Sequence, residues 1–237
     1  YAVLALTGID ARTFLNGQCT QNILALPADP PSPAAVLTSQ GRILAFGWVR
    51  ALEDGVRFAL PIDLAEPLRT HLVRYVLRAK VRLTLVEALD EDLPLALRPT
   101  HEGFQCLKAI RAGLPEVSAR SSGEWIPQML NLDRIGAIRF DKGCYTGQEI
   151  VARTQHLGRI KRRMGRFGLQ GPAPAILEPL LLAGQKVGEV VTAADDGAGG
   201  AECLAVITID ALDCPLTLDD GRICAPMPLP YTLETQT

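Results

Sequence analysis

Seventeen prolines and 21 glycines punctuate a chain of 237 residues, and this punctuation sets the first limit on its fold. Segments interrupted so often cannot form a helical bundle, whose helices run unbroken for several turns. Hydrophobic residues make up 48% of the chain and charged residues 21%, so it is too apolar for disorder and reads as globular. Its length supports a large core without a disulfide or metal staple and favours two small domains over one. Lys and Arg number 24 against 26 Asp and Glu, a net of -2. That balance excludes a uniformly basic nucleic-acid coat and leaves room for a local basic patch.

The six cysteines, Cys19, Cys106, Cys144, Cys203, Cys214 and Cys224, form no CxxC pair and have no matching histidine spacing. No metal site is predicted, and a reducing, cytoplasmic compartment is expected. The first 25 residues hold Asp10 and Arg12 and no cleavable apolar core. No uncharged run approaches the roughly 18 apolar residues of a membrane span. A monomer without membrane association is therefore expected.

Periodicity predicts a strand over 3–6, then a helix capped by Asp10 with Phe14 on its face. Pro27, Pro30, Pro31 and Pro33 make 27–33 a break. Strands over 34–37 and 43–49 follow, joined as a hairpin around Ser39-Gln40-Gly41-Arg42. Another strand is expected over 56–60. Asp63 and Glu66 then form a capping box for a helix running through Leu68, Leu72 and Tyr75. Val81, Leu83 and Leu85 alternate as a half-buried strand, and 88–105 reads as a weak, acidic linker. From Arg159 onward, segments 164–169, 186–192, 203–209 and 217–224 are short strands between Gly, Pro and Asp. They indicate a small barrel-like all-β domain. The expected division is 1–158, an α+β region, and 159–237, the barrel.

Chemistry concentrates in Lys142-Gly143-Cys144-Tyr145-Thr146-Gly147-Gln148-Glu149. Thr146 and Glu149 read as a capping box, predicting a helix from Gly147 to about Gln155. Cys144 then sits before a helix N-terminus, where the dipole, Lys142 and Arg139 favour thiolate. Gly143 and Gly147 permit close approach of a ligand or an unusual turn. A nucleophile, a metal-cluster ligand or a redox thiol all use such an arrangement.

This octet resembles the signature of the YgfZ family, proteins of the folate-binding fold related to the glycine-cleavage T protein and to a mitochondrial iron-sulfur assembly factor. Gly113-Leu114-Pro115-Glu116, Ile126-Pro127-Gln128, Asn131-Leu132, the octet and Arg153 to Gly158 with Lys161 and Arg162 follow in family order. Together they cover about residues 110 to 163. Weaker similarity extends to Asn16-Gly17-Gln18, to the 39–48 hairpin and to Pro228-Leu229-Pro230-Tyr231.

The resemblance implies ferredoxin-like α+β domains of the T-protein type, arranged as a ring around a folate-sized hole and closed by a C-terminal β-barrel. It implies tetrahydrofolate, or a polyglutamylated reduced folate, as cofactor, and iron-sulfur client enzymes, including those that modify tRNA, as partners. Cys144 and Lys142 are the implied catalytic residues. Gly143, Tyr145, Gly147, Gln148, Glu149, Arg153, Asn16, Gln18, Trp125 and Gln128 are the implied folate contacts, with Trp125 as a stacking surface for the pterin. The chain departs from the family in a shorter middle region and in Ala109, where relatives carry arginine and where Lys108 and Arg111 are the substitutes.

Two other functions compete. An aminomethyltransferase requires a carboxylate near the folate nitrogens, yet Gly41 is followed by Arg42-Ile43-Leu44-Ala45-Phe46, without an acid. A non-catalytic module would bind tRNA or another anion through 153–166. That stretch holds Arg153, Arg159, Lys161, Arg162, Arg163 and Arg166, six of the 24 Lys and Arg, together with His156.

Overall fold

The computed structural model describes residues 1–27, 29–98, 105–156, 158 and 160–233. Its first half is an antiparallel sheet built from β1 (Ala2–Thr7), β2 (Ser32–Leu37), β3 (Ile43–Leu52), β4 (Gly55–Leu60) and β5 (Arg82–Glu87), in the order β2-β3-β4-β1-β5. Helix α1 (Ala11–Asn16) follows β1, and α2 (Ile62–Val73) joins β4 to β5. Without the edge strand β2, the remaining elements are a βαββαβ unit ordered β3-β4-β1-β5, the ferredoxin-like arrangement. Central β1 pairs Leu4 with both Phe58 and Leu85. Its Val3, Leu4 and Leu6 are fully buried.

Several local expectations yield to long-range partners. Asp10 occupies the N-cap of α1, but its carboxylate accepts from the Lys80 amide at 2.7 Å instead of capping the helix. Pro61 stands at the N-cap of α2. The expected capping box there does not form, because Asp63 accepts from the Ala119 amide at 2.8 Å and Glu66 pairs with Arg69. Helix α2 stops before Tyr75, which stacks obliquely on His71. Strand β2 begins inside the proline-rich break and includes Pro33, which an edge strand tolerates because no ladder donor is needed on its outer side. Strand β5 is the opposite edge, with Leu85 and Val86 each more than a third exposed and no alternation of buried and exposed positions.

The expected linker is better ordered than its composition suggests where it is described. Asp92 is fully buried and takes both Nε and Nη2 of Arg57 at 2.7 Å. Residues 99–104 lie outside the described residues. Helix α3 (Gln105–Arg111) follows and was not anticipated.

After α4 (Gln148–His156), the chain forms β6 (Arg162–Gln170), β7 (Pro179–Leu182), β8 (Gln185–Asp195), β9 (Gly200–Thr208), β10 (Leu216–Thr217) and β11 (Ile223–Met227). These close into a barrel ordered β10-β11-β6-β9-β8-β7, sealed where Thr217 pairs with Leu181. The single strand expected over 217–224 is two strands, because a turn at Gly221, with φ +85°, lets Leu218 donate to the Arg222 carbonyl. The interior holds Phe167, Val190, Cys203, Ile207, Leu216 and Cys224. The expected class, a ferredoxin-like α+β sheet followed by a C-terminal barrel, is the observed one. No helix among the described residues is long and apolar enough to cross a membrane.

Candidate functional site

The octet lies in a loop stitched to the connection between α1 and β2. Thr20 donates to the Ala137 carbonyl at 2.6 Å, and Gln21 donates through Nε2 to the carbonyls of Gly136 and Pro33. Lys142 completes the seam. Its ammonium reaches the carbonyl oxygens of Asn16, Cys19 and Gln21 at 2.6, 2.8 and 2.7 Å and lies 4.9 Å from the Tyr145 ring centre.

Side chains along this loop divide by direction. Lys142 and Tyr145 point inward. Tyr145 is 6% exposed and joins the core that contains Leu4, Phe58 and Leu130. Between them Gly143 faces open space and Cys144 is an exposed free thiol, with no hydrogen bond to any described residue. Lys142 therefore does not direct its charge at Cys144. Arg139, the other cation expected to activate the thiol, is paired with Asp141 at 2.7 Å.

The electrostatics follow burial. Desolvation pushes the Cys19 thiol up to about 11 against the opposing Lys142 charge. Burial also lowers the Lys142 ammonium, with Cys19 opposing, and raises the Tyr145 phenol. The Tyr145 hydroxyl is buried without a hydrogen-bond partner among the described residues.

Helix α4 begins at Gln148, one residue later than expected, and Thr146 lies two positions before it. The intervening Gly147 has φ +80°, and a Cβ there would meet the Thr38 carbonyl oxygen at 2.5 Å. Gly41 of the hairpin has φ +73°, and a Cβ there would meet the Ile150 side chain at 2.8 Å. The two glycines thus let the motif turn lie directly on the β2–β3 hairpin.

The remaining implied folate contacts scatter. Gln128 is fully buried and donates to the Val151 carbonyl at 2.8 Å, fixing α4, while its Oε1 has no partner among the described residues. Trp125 is 2% exposed and donates to Glu189 of β8 at 3.0 Å, so neither ring face is open for a pterin. The Asn16 side chain accepts from the Ile23 amide. Gln18 and Gln148 are half-buried, whereas Glu149 and Arg153 are exposed. Cavities of 220, 580, 730 and 370 Å³ lie elsewhere, and none is lined by any of these residues. A folate needs a few polar groups converging on one apolar cavity. Among the described residues, the implied set lines none of these four cavities.

The basic segment is divided as well. Arg163 is 4% exposed and forms a two-pronged pair with Asp133 while donating to the Gln128 carbonyl. Arg166 is held by Glu202 and the Pro228 carbonyl. Arg153, His156 and Lys161 are exposed, and Arg159 lies outside the described residues. Among the described residues no group of three His, Cys, Asp or Glu is placed to hold a metal ion.

The residues sequence reasoning missed are Cys19, Thr20 and Gln21. Two of them contribute backbone carbonyls to Lys142, and a carbonyl acceptor leaves no mark in side-chain identity.

No protein-family model matches the chain. The tRNA-modifying protein YgfZ of Vibrio atlanticus (strain LGP32) is 25% identical over 295 aligned residues, covering 100% of this chain and 91% of that protein. Among solved structures, the glycine cleavage system aminomethyltransferase T from Bartonella henselae superposes with a TM-score of 0.69 at 10% identity, over 95% of this chain and 82% of the other. That second likeness is one of fold. Similarity over the full chain to a YgfZ protein and a T-protein-like fold agree with the resemblance of the motif octet to the YgfZ family.

Proposed function

We propose that the protein serves tRNA modification, in a role connected with iron-sulfur enzymes, by presenting Cys144 to a partner macromolecule as the functional thiol. The observation that carries this reading is the loop geometry. Lys142 and Tyr145 anchor inward on either side, and the thiol between them is exposed and lines none of the four described cavities. A thiol held out in this way is suited to meeting a large partner, because a small substrate gains little from a site that does not enclose it. The full-length similarity to a tRNA-modifying protein supplies the process.

Reduced folate is the cofactor that the family resemblance carries. The fold is compatible with it, but the motif residues line none of the described cavities, so no step of this proposal passes through it. Aminomethyl transfer is disfavoured because the hairpin after Gly41 lacks a carboxylate and its turn is covered by Ile150 and Gly147.

The test is complementation of a strain lacking its own YgfZ-type protein, read as the level of modified tRNA. Wild type is expected to restore modification, and Cys144→Ser to fail while retaining a wild-type melting curve, since a hydroxyl is hardly ionised near neutral pH. Restoration by the Ser variant refutes the functional-thiol reading.

A further inference from the structure

An ammonium has three N–H donors. All three of Lys142 are used, on the carbonyl oxygens of Asn16, Cys19 and Gln21. Asn16 is the last residue of α1, whose final carbonyls have no partner within the helix and carry its negative dipole end. The adjacent Cys19 is fully buried, and its thiol also turns to the Gln21 carbonyl, at 3.6 Å. These oxygens converge in a concave turn of backbone, and Tyr145 closes the remaining side of the ammonium with its ring. Such a nest favours a cation in the way a chelating ring of carbonyls does.

We infer that Lys142 is a positioning residue: its ammonium is an internal cation that fills a three-carbonyl nest and thereby fixes the loop that presents Cys144. The inference deepens the proposed function and rests on it only for the importance of Cys144. The nest itself is a property of the free protein.

Two features separate this role from thiol activation. No donor of Lys142 remains for Cys144, and no hydrogen bond among the described residues joins the two side chains. The nest also makes a cation exchangeable in principle. Removing the side chain leaves three carbonyls facing a vacated, partly desolvated space, which a small alkylammonium ion of the same chemistry can refill.

The experiment uses the full chain with Cys106 and Cys214, the other accessible thiols, changed to Ser, so that a nitroxide label reports on Cys144. In Lys142→Ala, the label is expected to become mobile, and amide exchange over 16–21 and 141–147 to accelerate at least about tenfold, the loss of hydrogen bonds to a charged group. Butylammonium is expected to reverse both changes, and butanol at the same concentration is not. Lys142→Met, which keeps the apolar stem, should behave as the Ala variant does without added amine.

An immobile label with unchanged exchange overturns the inference, as does equal rescue by butanol, which would mean that only volume matters. Loss of protection in β3 and β9 as well, in both variants, also overturns it, because Lys142 would then hold the whole fold. These outcomes are independent of Cys144→Ser complementation. The nest can stand while the functional-thiol reading falls, and the reverse.

Discussion

The loop 141–147 and the strand β6 both bring cations into the protein, and they use them in opposite ways. In the loop, Lys142 hydrogen-bonds to backbone oxygens, lies against the Tyr145 ring and leaves the neighbouring thiol outside. In β6, Arg163 and Arg166 meet carboxylates: Asp133, in the segment before the barrel, and Glu202 of β9, which also pairs with Arg111 of α3. Lysine suits the first role as a point charge with three divergent donors, and arginine the second as a planar fork matched to a carboxylate. A cluster of positive charge in a sequence is therefore not yet a binding surface. It becomes one only after the fold has taken the cations needed for its own acceptors.

The largest expected effect tests the β6 side of that contrast. Arg163 and Asp133 side chains are each 5% exposed, so Asp133→Ala strands a guanidinium in the core. Breaking one partner of such a pair costs about 3 to 5 kcal/mol. Denaturant unfolding should show a loss of this size, and replacing both residues together should lose less than the sum. An effect below about 1 kcal/mol for Asp133→Ala would mean that water reaches the guanidinium and that β6 is no more buried than the loop.

Next in size is Gly147→Ala, on the loop side. The positive φ and the 2.5 Å approach to the Thr38 oxygen act together, for an expected loss of about 3 kcal/mol. The displacement should also separate α4 from the β2–β3 hairpin, visible as faster amide exchange at Gly41 and Arg42. A stable variant with unchanged exchange would show that the motif turn is not seated on the hairpin.

What the sequence disclosed and what it concealed divide along the same line. Strands β1, β3, β4 and β9 were legible because alternation or apolar runs express burial residue by residue, and the Gly41 hairpin because its turn needs a positive φ. The caps were misread. Asp10 and Asp63 have the right residue type at nearly the right place, but amides from Lys80 and Ala119, 70 and 56 residues away, capture their carboxylates. Helix α3 and strand β7 were missed because elements this short carry too little periodicity. At the site, the octet identified the loop and the family it resembles but not the direction of its side chains. That Cys144 faces outward and Lys142 inward depends on carbonyls of residues 16–21, and nothing in those residues' identities signals it.

A pH titration sharpens the contrast with a smaller effect. Burial raises the Glu202 carboxyl, but hydrogen bonds from Arg111 and Arg166 outweigh it, and its proton affinity in the fold is lowered. A lowered carboxylate value stabilises the fold above the unfolded value of about 4.3, and this contribution is lost as pH falls through the folded value. Glu202→Gln should therefore cost about 2 kcal/mol at neutral pH and progressively less in acid, where wild type has lost the same contribution. A constant difference across that range would show that the pair adds shape but not charge. Lys142 offers no parallel acid-side transition, since its acceptors are carbonyls that do not titrate.

The smallest expected effect is Gly143→Ala, and its value lies in its neighbour. Gly143 and Gly147 flank the same thiol and look alike in the sequence, yet a Cβ at 143 meets nothing within 4 Å, whereas one at 147 strikes backbone. The alanine variant at 143 should change stability by no more than about 0.5 kcal/mol, as an open surface position does. Its effect on function is a different matter. A partner that closes over Cys144 must pass the face that Gly143 leaves bare, so bulk added there should obstruct docking without disturbing the fold. Replacing Gly143 by Ala and then by Val is expected to leave the melting curve almost unmoved while tRNA modification in the complemented strain falls stepwise. If modification stays at the wild-type level with Val in place, the partner does not approach across this face. If instead both variants lose stability in proportion to added volume, Gly143 is packed like Gly147, and the division between an anchored inner side of the loop and a free outer side is wrong.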